Sequence, residues 1–207
     1  VYSVLLVVSF LIFTLNVQDF PVKAQSKTIV VPDDYPTISS AIQNATNGDT
    51  VYIRSGTYTE NELKITKSIF LIGEKPESTK INLNSEKHDE SLYPEFPDLY
   101  RAIWYDRAMA VHADNFVLSG LTISTTGGDI NITGNNNKIE SNFISAPLTV
   151  LGSNNKIVNN TLSSRPINIA GTHCNFTLNK VSKGDVNFAG QYNIVSVSYK
   201  HLTLPTN

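Results

Sequence analysis

The chain has 207 residues, of which 41% are hydrophobic, with 16 basic and 18 acidic side chains and a net charge of −2. No basic stripe runs through it, so nucleic acid is excluded as an expected partner. A single cysteine, Cys174, excludes an internal disulfide framework.

Val4 to Leu15 is an apolar run of twelve residues, broken only by Ser9 and Thr14. It falls short of the roughly 20 residues that a membrane-spanning helix needs. Val22-Lys23-Ala24 then puts small or aliphatic residues where a signal peptidase would cut, before Gln25. Residues 1–24 therefore read as a secretory signal whose charged start is missing or very short, the alternative being a retained membrane anchor. The domain is expected outside the cytoplasm, secreted or at the cell surface, and would touch a membrane only through this segment if it stays uncleaved.

Thr28 to Pro32 reads as a short strand. Pro36-Thr37 then opens a helix over 37–46: Thr37 suits the N-cap, Ile38, Ala41, Ile42 and Ala45 share one face, and Asn47-Gly48-Asp49 ends it. Short alternating stretches follow at 48–53, 56–60, 63–65, 68–74 and 81–83, then at 110–112, 116–118 and 121–123. Between the last two groups, residues 86–107 do not alternate.

From Ile130 onward one pattern is written four times: Ile130-Asn-Ile-Thr-Gly134, Leu148-Thr-Val-Leu-Gly152, Ile167-Asn-Ile-Ala-Gly171 and Val186-Asn-Phe-Ala-Gly190. The glycines stand 18, 19 and 19 residues apart. Five residues after each comes an apolar side chain: Ile139, Ile157, Phe176 or Val195. Three after come Asn137, Asn155, Cys174 and Asn193, and eight after come Asn142, Asn160 and Asn179. A fixed period near 20 residues marks a unit that buries its apolar face only against copies of itself. Apolar-polar-apolar triplets are strands, and no repeat contains a helical stretch. The expected fold is all-β: a parallel β-helix (a single-chain solenoid) over residues 27–195, with one strand layer per coil and asparagine amides bonding from coil to coil. A β-sandwich would need neither the equal spacing nor the asparagine columns. The helix at 37–46 would plug the open first coil. Cys174, standing in an asparagine column, reads as buried filler.

The segments Asn135-Asn-Asn-Lys-Ile-Glu-Ser-Asn142 and Ser153-Asn-Asn-Lys-Ile-Val-Asn-Asn160 resemble right-handed parallel β-helix repeats of the NosD and pectin-lyase-like superfamily. That resemblance implies the handedness. The stretch from the helix through Gly56-Thr-Tyr-Thr-Glu60 to Gly73-Glu74 resembles the opening coils of secreted β-helix proteins, especially archaeal and bacterial surface ones. Pectin methylesterases share the Gly-Thr-Tyr-x-Glu turn. In both groups it is a fold element, with Gly56 permitting a tight turn, Tyr58 packing at a corner, and Asp49, Tyr58 and Glu60 structural. The likeness to pectin methylesterases stops early: their later motifs Gly-x-Gln-Asp-Thr and Asp-Phe-Ile-Phe-Gly are missing from this sequence.

The inserted stretch 86–107 carries the single Trp104 with Tyr93, Phe96, Tyr100 and Tyr105, six acids and two prolines. Long loops on rigid scaffolds are where binding usually sits. Aromatic faces beside carboxylates suit sugars, whose C–H faces stack on rings and whose hydroxyls donate to carboxylates. Tyr93, Tyr100, Trp104, Tyr105, Asp106 and Arg107 are the candidate ligand-binding residues, for a polysaccharide or cell-surface glycan. The plainer reading has these aromatics pinning a loop to the barrel.

Catalysis is not legible. β-Helix lyases and hydrolases need clustered acids with a Lys or Arg, and lyases bind calcium through oxygen ligands. After Arg107 the acids are Asp114, Asp129, Glu140 and Asp185, at unmatched offsets from the glycines. Asp106, Arg107 and His112 could converge with Asp89 at the base of the insertion, although His112 on an alternating strand reads as an ordinary surface or core histidine. No cofactor is indicated; calcium enters only with the lyase alternative. A NosD-like role in maturing a metal centre lacks a Cys/His/Met cluster for copper. Four N-x-Ser/Thr sequons, at Asn44, Asn131, Asn159 and Asn175, arise readily in an asparagine-rich repeat. The leading function is a carbohydrate-binding or structural β-helix protein. The alternative is a polysaccharide lyase or hydrolase with its site in the insertion or in further C-terminal coils. Residues 196–207 break the repeat, with Ser198 where Asn is expected, and resemble translated sequencing-adaptor sequence. Native sequence is accordingly expected to end near Val195 and to continue in further coils.

Overall fold

The computed structural model describes residues 25–84 and 107–199, apart from 165 and 184. Of the expected insertion only Arg107 lies within them, and residues 1–24 and 200–207 lie outside.

The chain winds through three parallel sheet faces. The first holds β1 (Thr28–Val31), β2 (Thr50–Ile53), β5 (Phe70–Gly73), β8 (Val117–Ser119), β11 (Lys138–Glu140) and β14 (Lys156–Val158). The second holds β3 (Gly56–Glu60), β6 (Thr79–Leu83), β9 (Thr122–Thr125), β12 (Phe143–Ser145) and β15 (Thr161–Leu162). The third is a separate six-stranded sheet of β4 (Leu63–Ile65), β7 (Arg107–His112), β10 (Asp129–Thr133), β13 (Leu148–Leu151), β16 (Ile167–Ala170) and β18 (Val186–Ala189). β17 (Asn175–Val181) rounds the corner between the first two faces, pairing with β14 at one end and β15 at the other. β19 (Ile194–Tyr199) pairs with β17, running four residues beyond Val195. The expected coils are therefore present and in the expected register. Ile130, Leu148, Ile167 and Val186 stack as neighbours, as do Ile139, Ile157 and Phe176.

Period-two alternation sends one side chain of each pair inward. The inward residues form a continuous aliphatic core in which Val51, Leu71, Leu118, Ile139 and Ile157 have no exposed surface. The glycine column has a steric reason. At Gly134, Gly152, Gly171 and Gly190 a Cβ would press into the carbonyl oxygen of the equivalent residue one coil earlier, and all four have left-handed φ, 117° at Gly152. Only glycine lets the backbones stack here. Gly56 differs from its expected role. It lies within β3, and the space its missing side chain leaves is filled by the Tyr58 ring, 3.3 Å from where a Cβ would stand.

The asparagine columns bond from coil to coil, but in two ways. In the second column side chains meet: Asn142 Nδ2 donates to Asn160 Oδ1 at 3.1 Å, and Asn160 Nδ2 to Asn179 Oδ1 at 3.0 Å. Both columns also bridge backbone, with Asn142 Nδ2 donating to Leu118 O and Asn160 Nδ2 to Ile139 O, and in the first column that is all the described amides do. Asn155 Oδ1 accepts from Asn137 N at 2.8 Å, while Asn155 Nδ2 donates to Gly134 O at 3.0 Å. Cys174 is buried in this column, where its thiol donates to Gly152 O at 3.2 Å. A thiol has no counterpart to the amide oxygen, so the Asn155 N–H, whose equivalents reach an Asn Oδ1, finds no acceptor among the described residues. At β19 the register slips between Phe176 and Asn179, which brings Val197 opposite Asn179 and ends the second column.

Helix α1 (Ile38–Asn44) closes the first coil with Ile38, Ala41 and Ile42 buried. Thr37 Oγ1 accepts from Ser40 N at 3.1 Å as N-cap. Glu60 Oε1 accepts the Ile38 N–H at 2.6 Å, and Lys67 Nζ donates to the carbonyls of Ile42, Gln43 and Ala45. Each end of the helix thus meets a charge opposed to its dipole. Asp49 ties the segment before β1 to the turn after α1 through Lys27 N, Thr46 N and Thr46 Oγ1. Burial alone would raise its carboxyl, yet these hydrogen bonds outweigh it and hold the group below its ordinary value.

Candidate functional site

Of the candidate ligand-binding residues, Arg107 alone is described; Tyr93, Tyr100, Trp104, Tyr105 and Asp106 lie outside the described residues, as does Asp89. Arg107 opens β7, half-buried, with Asp129 of β10 as its neighbour across the strands. The strands place these two groups together because the register of β10 on β7 shifts between Asp129 and Ile130. Burial pushes the Asp129 carboxyl above its ordinary value, and the Arg107 charge pulls it partly back. Asp129 Oδ1 and, two residues on along the same outer face, Asn131 Oδ1 are shut off from solvent without a hydrogen-bond donor among the described residues. Two such acceptors side by side are costly unless something supplies the donors.

From Asn131 a polar column continues outward along the six-stranded sheet: Thr149, Asn168 and Asn187, in register. Asn187 Nδ2 donates to Asn168 Oδ1 at 3.0 Å. The adjoining outward column is His112, Thr133, Leu151, Ala170 and Ala189, which turns apolar past Thr133. His112 is exposed, its Nδ1 2.6 Å from Thr133 Oγ1. It lies on the same strand as Arg107 but five residues on, at the far end of β7. The face therefore offers hydrogen-bonding groups in one row and small apolar contacts in the next, repeated once per coil at about 4.8 Å.

The acids after Arg107 lie apart. Asp114 accepts from Asn135 N at 2.6 Å, and Glu140 pairs with Lys138 at 2.8 Å on the first face. Asp185 stands just before Val186 as Asp129 stands just before Ile130, but Pro147 and Pro166 hold the equivalent places in the two coils between them. Among the described residues no three His, Cys, Asp or Glu side chains are grouped to hold a metal ion.

One feature escaped the sequence reading. Two residues after each repeat glycine the backbone is left-handed, at Asn136, Asn154, His173 and Tyr192, with Asn115 one coil earlier. Asparagine tolerates this conformation, whereas a tyrosine there costs on the order of 1 kcal/mol. His173 and Tyr192 are exposed and stack, with ring centroids 5.2 Å apart at 17°. Counting two past each glycine would have exposed the switch from Asn to aromatic residues.

No family model matches the sequence, and no curated protein matches it. Solved structures do. A pectin methylesterase in complex with hexasaccharide VII superposes with a TM-score of 0.52 at 16% identity, over 78% of this chain and 54% of that one. An alanine mutant of a pectin methylesterase in complex with hexasaccharide IV gives 0.51 at 12% identity, over 81% and 66%. The chain thus spans little more than half the length of the first. Likeness at this identity concerns the path of the backbone, and both are right-handed parallel β-helices. The chain has the right-handed parallel β-helix of the pectin-lyase-like fold.

Proposed function

We propose that this protein binds polysaccharide along the outer face of its six-stranded sheet, gripping it at the base of the insertion. The observation that carries the reading is the pair of donor-less buried oxygens, Asp129 Oδ1 and Asn131 Oδ1, next to Arg107. A sugar hydroxyl that displaced what shields them would supply the donor they lack, and the half-buried Arg107 guanidinium can hold a sugar carboxylate or hydroxyl in turn. The ladder of Thr149, Asn168 and Asn187 extends the same chemistry coil by coil, in steps near the length of one sugar in an extended chain. A secreted or cell-surface setting, drawn from residues 1–24, is part of this reading. A glycan-array screen of the full chain tests it, with Asp129→Ala and Trp104→Ala/Tyr100→Ala as variants. Binding that falls in both variants supports the insertion base as the grip; binding to no glycan sinks the reading and leaves a structural protein.

A second reading is favoured by the fold likeness: a polysaccharide-modifying enzyme of the pectin-processing kind. Asp129, with its raised carboxyl beside an arginine, is the one described acid suited to proton transfer. Release of methanol from methylated polygalacturonate, lost in Asp129→Asn, would establish it; absence of release with binding intact leaves the binding protein.

A further inference from the structure

We propose that the outer surface of the second face binds an acidic polysaccharide whose charged group recurs on alternate sugars, at a site separate from the grip at Asp129. The outward side chains of this face fall in two columns. In the first, Thr57, Lys80, Thr122, Phe143, Thr161 and Lys180 stack in register from coil to coil. Threonine alternates with a large side chain, so that Lys80, Phe143 and Lys180 recur every second coil. At 4.8 Å per coil these three stand about 10 Å apart, with Phe143 midway between lysines separated by about 19 Å. In the second column Asn82, Ser124 and Ser145 run beside them.

Phe143 is 39% exposed on β12, with β9 paired on one side and β15 on the other, so its exposure does not come from an open end. A single exposed phenylalanine is ordinary; its place midway between two lysines is not. Lys80 and Lys180 are exposed and pair with no carboxylate among the described residues. Glu60, the one acid on the strands of this face, is buried and spent on the Ile38 N–H. The face is therefore positive and uncompensated, which suits an anion. The Phe143 ring suits the C–H face of a pyranose, with the Ser145 hydroxyl two residues on along the strand to bond its hydroxyls. Asn82 Oδ1 accepts from Ser124 Oγ at 2.8 Å, which leaves the Asn82 Nδ2 donor for the ligand. One coil is near the length of one sugar, so the lysines meet the first and fifth sugars and Phe143 the third. In a flat two-fold glycan alternate sugars present the same groups to one side, which is the periodicity of this column. A polymer lying along the solenoid axis matches such a repeat; a compact partner has no use for it.

The test is calorimetric titration of the full chain with octasaccharides of hyaluronan (a carboxylate on every second sugar) and polygalacturonate (one on every sugar), and with neutral cellohexaose. The hyaluronan octasaccharide is expected to bind saturably, at least tenfold tighter than either of the others. Lys80→Gln/Lys180→Gln and, separately, Phe143→Thr, which continues the threonine column, are each expected to weaken that binding at least tenfold while Tm holds. Absence of hyaluronan binding overturns the proposal. Equal affinity for cellohexaose removes the charge, and equal affinity for polygalacturonate removes the alternate-sugar spacing; either overturns it as well. Phe143→Thr that lowers Tm and leaves affinity unchanged marks the ring as structural and has the same effect. Binding lost in Asp129→Ala but kept in the second-face variants moves the sugar to the third face, so the two sites fail separately.

Discussion

At the first coil, helix α1 seals the core and each of its ends meets an opposing charge, from Glu60 and from Lys67. At the last described coil, Val186 and Phe188 are only half-buried, while Ile194 is 62% exposed and Val195 45%. The same coil positions further back, Ile167, Ile169 and Ile157, are fully buried. A solenoid coil is therefore stable in proportion to what lies on both sides of it, not by virtue of its own residues. The two regions also differ in backbone economy. Up to Asn159 the left-handed positions are held by Asn or Ser; past it His173, Leu178 and Tyr192 occupy them. That change begins inside the covered coils, because His173 and Leu178 share their coil with the fully buried Phe176.

The sharpest way to break this comparison is to disturb stacking in the middle. Gly152→Ala would drive a Cβ into the Gly134 carbonyl and force a left-handed alanine at once. We expect a loss of at least about 4 kcal/mol, enough to unfold the coils on either side. Urea unfolding followed by circular dichroism measures it. A loss under about 1 kcal/mol would mean that neighbouring coils can part cheaply, and the stacking account would fail.

Next in size is the sealed end. Asp49→Ala strands the N–H groups of Lys27 and Thr46 and should cost about 2–3 kcal/mol. The wild-type group has a pH signature of its own. Because its folded carboxyl sits below the ordinary value, its contribution is complete above that value and is lost as pH falls through the range beneath it. The acid limb of the stability curve should flatten in Asp49→Ala; an unchanged limb would assign acid sensitivity to other carboxylates.

How much of this was legible before the structure depends on what carries the signal. The coil register follows from equal glycine spacing and apolar alternation, because stacking leaves few other ways to bury those faces. Thr37 and the face Ile38, Ala41 and Ile42 likewise announce the cap. Hydrogen-bond routing was not legible: nothing in the spacing separates a column that bonds amide to amide, at Asn142 and Asn160, from one that bonds amide to backbone, at Asn137 and Asn155. The candidate site was the least legible. Loop composition pointed to residues 93–107, of which Arg107 alone is described, whereas Asp129 and Asn131 gain their interest from burial and missing partners, which no sequence pattern records.

Cys174→Asn sharpens the comparison from within the covered region. It would return an amide oxygen to the Asn155 N–H and keep a donor for Gly152 O. The expected gain is about 1 kcal/mol, read as a higher urea midpoint with unchanged slope. A loss instead would show that the pocket around the thiol is too tight for the amide, Gly171 lying close by.

The smallest effect concerns Leu178, which is 69% exposed with φ at 58°, in the turn that holds Asn159 and Ser141 in the two coils before it. An exposed leucine gains little from burial there and bears the crowding between Cβ and carbonyl that asparagine relieves through its own local hydrogen bonding. Leu178→Asn should therefore stabilise the protein by about 0.5–1 kcal/mol, seen as a modest rise in Tm. If Tm drops, Leu178 is being paid back by a contact on the outside of the turn.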